Sequence, residues 1–232
     1  MNKKKKGARK LSLNAQINLI RAGVMGANDG ILSVAAIVLG VAAANVSTHN
    51  ILLAGFAGML AGTISMAMGE YVSVHAQRDA EERATADETQ RMELNPQAEV
   101  DFVTHKYVAA GISHDLAAKA AQEMFDQAPV VTAVRERYDI DPGEQTSAFG
   151  AAIASFISFP LGSLLPMLTI SLVGNAWRIP ATVASVVIAL MITGAIAAKL
   201  GNANVLKATV RNVVAGLITM AITTMVGHIF AR

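Results

Sequence analysis

The 232-residue chain contains no cysteine. That absence excludes a disulfide-stapled domain and any zinc or iron–sulfur site built on thiolates. Charge is scarce as well. Asp, Glu, Lys and Arg make up 16% of the residues, against about a quarter in soluble domains. So few cations leave little to meet a phosphate backbone, and nucleic acid is not an expected partner. No nucleophile–base pair, nucleotide-binding loop or zinc signature stands in the sequence, so it does not read as an enzyme and asks for no resident cofactor. What is plentiful is apolar: 53% of residues are hydrophobic and the mean hydropathy is +0.44. Such a composition excludes a disordered chain and points toward lipid.

The formal net charge of +2 conceals a strong segregation. Seven basic residues precede position 22, and seven more lie between Arg78 and Arg137. Three others are Lys199, Lys207 and Arg211, leaving Arg178 and Arg232 isolated. Fifteen of the seventeen acids fall between Asp79 and Glu144, so residues 76–147 carry a net −8. The two remaining acids, Asp29 and Glu70, stand inside apolar stretches.

Between the charge clusters lie five runs of spanning length, at about 22–44, 50–75, 148–173, 180–198 and 208–230. A span needs roughly 20 apolar residues, and these runs lack the alternation of barrel strands, which leaves helices. The fold class is therefore an all-α membrane protein: five transmembrane helices, with a cytosolic insert of three to four helices between spans two and three. The first run is long, contains Asp29 and leads straight into another span, so it reads as a retained helix rather than a cleaved signal. Basic residues gather on the cytoplasmic side of a membrane. Five spans place seventeen of the nineteen on the side of the N-terminus, the insert and the 199–211 loop, with the C-terminus outside. The expected division is a basic cytosolic N-terminus (1–21), spans one and two (22–75), the acidic insert (76–147) and spans three to five (148–232).

The insert reads as helix throughout. Residues 76–94 are rich in Ala, Glu, Gln and Arg and extend span two as one helix. Asn95-Pro96 supplies an N-cap and a proline at the first helical position, and Gly111 suits the stop of that helix. Ser113 opens a helix over about 114–127, Pro129 a short one to Tyr138, and Asp141-Pro142-Gly143 is turn chemistry. Large apolar residues are few here, and packing against a second copy would remedy that. Glu81 and Glu88 are seven apart with Met92 four further on, a face that gathers divalent cations or serves as an ordinary solvated flank.

A carboxylate at membrane depth costs about 2.5–3.5 kcal/mol on insertion scales, so it faces a bundle interior or a wet cavity. Asp29 sits about a third of the way into the first run, flanked by Gly26 and Gly30. In the second run Gly58, Gly62, Met66 and Glu70 recur every four residues and form one stripe. Gly58 and Gly62 offer a close-contact surface, while Met66 and Glu70 place a thioether and a carboxylate one turn apart. A soft sulfur with two carboxylates suits Fe2+ or Mn2+ better than Mg2+ or Ca2+, and a carboxylate in such a path also exchanges protons. The competing readings are a packing methionine, a glutamate that snorkels to the surface, and an aspartate that holds two helices together. Pro160 and Pro166 are expected to kink span three. The five histidines are too scattered for a metal site.

GANDGILSVAAIVLGVA and AGTISMAMGEYVSVHAQRDAEE resemble the first two helices of the vacuolar iron transporter family. NPQAEVDFVTHKYVAAGISHDLAAKAAQEMF resembles its cytosolic metal-binding insert, and SFISFPLGSLLPML its third helix. The resemblance implies a homodimer with an ion path at its axis, exporting Fe2+ and often Mn2+ from the cytosol against protons. On matching positions Asp29 and Met66 become the intramembrane ligands, with Glu70 beside them. Glu88 and Glu99 fit the acidic ligand positions of the insert and Glu136 is the acid left late in it, while Glu81 joins the expected insert ligands from its spacing to Glu88. Two turns before Met66, where some plant members carry a glutamate, this chain has Gly58; Arg91 and Phe102 stand where others have further glutamates. The short chain fits a bacterial plasma membrane. The alternative is a membrane-anchored protein that binds, sequesters or senses metal without moving it.

Overall fold

A computed structural model describes residues 13–141 and 147–231, with side chains from Gln16 onward. Among these residues every element is helical. In order they are α1 (Leu13–Ala43), α2 (Thr48–Leu94), α3 (Pro96–Ala109), α4 (His114–Gln127), α5 (Pro129–Tyr138), α6 (Ala148–Leu172), α7 (Arg178–Leu200) and α8 (Val205–Phe230). Five of them, α1, α2, α6, α7 and α8, are long and apolar enough to cross a membrane. The helices fall into two compact units, 1–72 with 147–232, and 73–146.

Helix α1 is the hub of the first unit and packs against α6, α7 and α8. Six of the twelve residues of the apolar core (Ile31, Val34, Ala35, Val38, Leu39 and Ala42) come from it, joined by Ile51, Phe159, Ile170, Val186, Leu190 and Met220. The helix begins nearly three turns before the apolar run, because the intervening LNAQINLI segment continues the helical pattern. Asp29 is the seventeenth of the 31 residues of α1.

Glycines set how closely α1 and α6 approach. A Cβ on Gly30 would overlap the carbonyl oxygen of Phe159, and one on Gly162 would overlap that of Ala27. Ser155 and Ser163 of α6 then donate hydroxyls to the carbonyls of Ala22 (3.3 Å) and Gly30 (3.2 Å). Small residues and interhelical hydroxyl bonds are the usual means of association where lipid offers no hydrophobic drive. Helix α6 continues through Pro160 and Pro166 without a break. Arg178 is buried at the start of α7, and its guanidinium reaches the carbonyl of Ala42 at 3.4 Å. A cation there complements the negative end of α1.

In the second unit, α2 runs unbroken to Leu94. The Asn95 side chain accepts the N–H of Ala98, capping α3. Gly111 takes φ +95, and the N–H groups of Gly111 and Ile112 close back on Val108 and Tyr107, so α3 ends in a Schellman motif. Ser113 precedes α4 without a side-chain cap. The short α5 ends on Asp139 in the left-handed region, φ 58; Pro142 and Gly143 of the expected turn lie outside the described residues. Val100, Val103, Ala121, Phe125 and Ala133 form a small core, with Met92 and Tyr107 against it.

Candidate functional site

The faces of α1 have different neighbours. Gly26 and Gly30 lie against α6. Asn28 turns toward α7 and α8, where its Oδ1 accepts the Thr193 hydroxyl at 2.9 Å and the Asn212 amide at 2.8 Å. The Asn212 amide also donates to the Leu190 carbonyl at 2.9 Å. These groups border a cavity of about 280 Å³ that Met25 and Arg211 also line. Asp29 lies one turn beyond Met25. Both side chains are exposed, and Asp29 accepts a 2.7 Å bond from the Ser33 hydroxyl one turn on.

The glycine stripe of α2 faces inward. A Cβ on Gly58 would meet the tip of Ile37, and one on Gly62 would meet the ring of Phe159. The contact surface therefore receives side chains of α1 and α6. Met66 continues the stripe, half-buried against the apolar core, and Glu70 follows one turn later, also half-buried. Asp29, Met66 and Glu70 thus belong to one unit, two on a single stripe of α2 and one at the middle of α1. No hydrogen bond or ion pair joins them among the described residues.

The insert glutamates divide into separate settings. Glu81 accepts the Gln77 amide at 2.9 Å on α2. Glu136 pairs with Lys106 at 2.8 Å and accepts the Tyr107 hydroxyl at 3.0 Å. Burial, then this bond to Glu136 and its charge, raise the Tyr107 pKa. Only Glu88 and Glu99 come together, and both are buried, at 0% and 5% exposure. Arg137 joins them: its Nε is 2.8 Å from Glu88 and its terminal nitrogen 2.5 Å from Glu99. The guanidinium also lies over the Phe102 ring, 3.9 Å from its centroid. Burial raises the Glu88 pKa, the charge of Glu99 raises it further, and Arg137 and Arg91 pull the other way. Burial works against the charge of Arg137, but its bond to Glu99 and the two carboxylate charges outweigh it and raise its pKa. No group of three or more Asp, Glu, His or Cys residues is gathered for a metal among the described residues. Met92, one turn beyond Glu88 on α2, packs on the insert core.

Sequence reasoning passed over Asn28, Thr193, Asn212 and Ser33. Three of these are ordinary span residues until the fold pairs them. Asn28, an amide beside Asp29 in an apolar run, was the available signal.

Five long apolar helices, with a carboxylate at the midpoint of the first, define a multi-pass integral membrane protein. The chain belongs to the VIT family, whose sequence pattern matches residues 20–228. It is 33% identical over 211 residues to a vacuolar iron transporter of Acanthamoeba castellanii, covering 90% of this chain and 78% of that protein. It is 34% identical over 206 residues to vacuolar iron transporter homolog 2.1 of Arabidopsis thaliana, covering 88% and 78% of the two chains. With vacuolar iron transporter homolog 1 of Oryza sativa it shares 33% identity over 222 residues, covering 93% and 75%. These relatives carry the names of transporters, not of enzymes.

Proposed function

We propose that this chain exports Fe2+, with Mn2+ as a second cargo, from the cytosol in exchange for protons, along a path between two copies. Asp29, Met66 and Glu70 are the groups of that path. The observation that carries the proposal is the direction of Asp29. It lies midway along α1, where Gly26 and Gly30 lie against α6 and Asn28 bonds to α7 and α8, yet its side chain is exposed, so its own bundle does not enclose the carboxylate. Left against lipid, such a group costs about 2.5–3.5 kcal/mol or more. A second copy laid on this face would bring a second Asp29 and convert the penalty into a cation site. Carboxylate oxygens with a thioether favour Fe2+ and Mn2+ among the divalent ions, and the same carboxylates carry protons on the return step. The charge distribution supports an N-terminus and a 76–147 region in the cytosol with the C-terminus outside, and a bacterial plasma membrane is the proposed location. The names of the aligned transporters support iron as the cargo.

The test is metal-driven proton flux in proteoliposomes. Asp29→Ala and Met66→Ala should each abolish it while the proteins remain dimeric and folded. Wild-type flux in both variants would remove the assigned path. A protein that only sequestered ions would bind them without moving protons, so the same assay separates transport from storage.

A further inference from the structure

A metal site in the insert would need acids that face no other cation, and here the two that meet already face one of the chain's own. Glu88 and Glu99 are the only two of the four expected insert ligands that meet, and the guanidinium of Arg137 stands where a shared ion would have to sit. Its Nε stands 2.8 Å from Glu88 as an ion pair without hydrogen-bond alignment, and its terminal nitrogen donates to Glu99, so one guanidinium lies against both carboxylates. Phe102, whose ring offers no oxygen, covers the guanidinium plane at 3.9 Å and adds a cation–π contact. Arg91, on the same helix as Glu88, approaches Glu88 to 3.8 Å and brings a further positive charge. A divalent ion between these carboxylates would lie against two guanidinium groups of like charge. The donor set does not fit a bound metal.

We propose that Arg137 is the resident cation of the insert: the chain's own guanidinium, not a divalent metal, holds α2, α3 and α5 together at Glu88 and Glu99. The insert then stays assembled at any cytosolic metal level, and the −8 charge of residues 76–147 attracts ions without storing one at this pair. Removing the guanidinium unmasks a divalent-cation site. The inference rests on the proposed function only in taking Fe2+ or Mn2+ as the ion that the insert meets.

The test uses the full-length protein in detergent and counts bound Mn2+ from the loss of the free-ion electron paramagnetic resonance signal. Wild type and Glu99→Gln should bind the same number of ions, because the pair holds none. Arg137→Met, which keeps the bulk of the side chain without its charge, should gain one site per chain, and Arg137→Met/Glu99→Gln should lose it again. Hydrogen exchange in α3 and α5 should be the same for the wild type in chelator and in Mn2+. A wild-type ion that Glu99→Gln removes would overturn the proposal, and that comparison stands even if Arg137→Met fails to fold. A folded Arg137→Met without the extra site would overturn it too. Both readouts are independent of flux, so a defect in the transport path leaves them unchanged.

Discussion

Gly162→Ala puts the packing that orients Asp29 to a direct test. The added methyl meets the backbone carbonyl of Ala27 on α1, and a backbone atom inside a helix has no rotamer by which to move aside. Ordinary contact would require the two helices to part by about 1 Å, and overpacking of this kind costs about 1–3 kcal/mol. The same displacement stretches the 3.2 Å bond from Ser163 to the Gly30 carbonyl. For a chain of this size each kcal/mol lowers the melting temperature by about 2–4 °C, so a drop of about 2–12 °C is expected in thermal unfolding of the detergent-solubilised protein. Two controls calibrate the figure. A Cβ on Gly23 meets nothing within 4 Å, so Gly23→Ala should be neutral or stabilising by up to about 1 kcal/mol through helix propensity. At Gly58 the first atom met is the flexible tip of Ile37, so Gly58→Ala should fall between the two. Transport by Gly162→Ala should fall as well, since Asp29 rides on the displaced helix. If Gly162→Ala melts with Gly23→Ala, the contact between α1 and α6 is not what sets the direction of Asp29.

Asn212→Ala leaves the Asn28 and Leu190 acceptors without their shared donor, and an interhelical bond of this type contributes about 0.6–1.7 kcal/mol, readable in the same melting assay. Because the folded-state pKa of Glu88 lies above its ordinary value of 4.5, its contribution is full below that value and is lost as pH rises through the raised pKa. Hydrogen-exchange opening free energies of α3 and α5, compared between wild type and Glu88→Gln, should therefore favour the wild type more at pH 4.5 than at pH 7.

Much of the fold was legible because its signals are local. Asn95-Pro96 and Gly111 act on their own turns, and α3 starts and stops on them. The five long apolar helices follow from composition and length alone. Helix α1 begins at Leu13, before the apolar run, because apolarity marks the lipid-facing stretch while helical hydrogen bonding extends past it. The direction of Asp29 was hidden, since it depends on which glycines of α1 find α6. The amide pairing of Asn28 with Asn212 spans 184 positions. Glu99 and Arg137 are 38 residues apart, and nothing in the spacing of the acids announces that a cation of the chain already stands between two of them. Residue types suggested a metal in the insert; only the tertiary arrangement assigns those carboxylates a partner.

The central claim is exchange of a divalent metal for protons through Asp29. Its most direct test is uptake of Fe2+ and Mn2+ by wild-type proteoliposomes, with internal pH recorded, in the presence and absence of a pH gradient. Antiport predicts metal uptake coupled to opposing proton movement, slowed when a protonophore collapses the gradient and lost in Asp29→Ala. Metal uptake that ignores the gradient and persists in Asp29→Ala, or binding with no uptake at all, would contradict it.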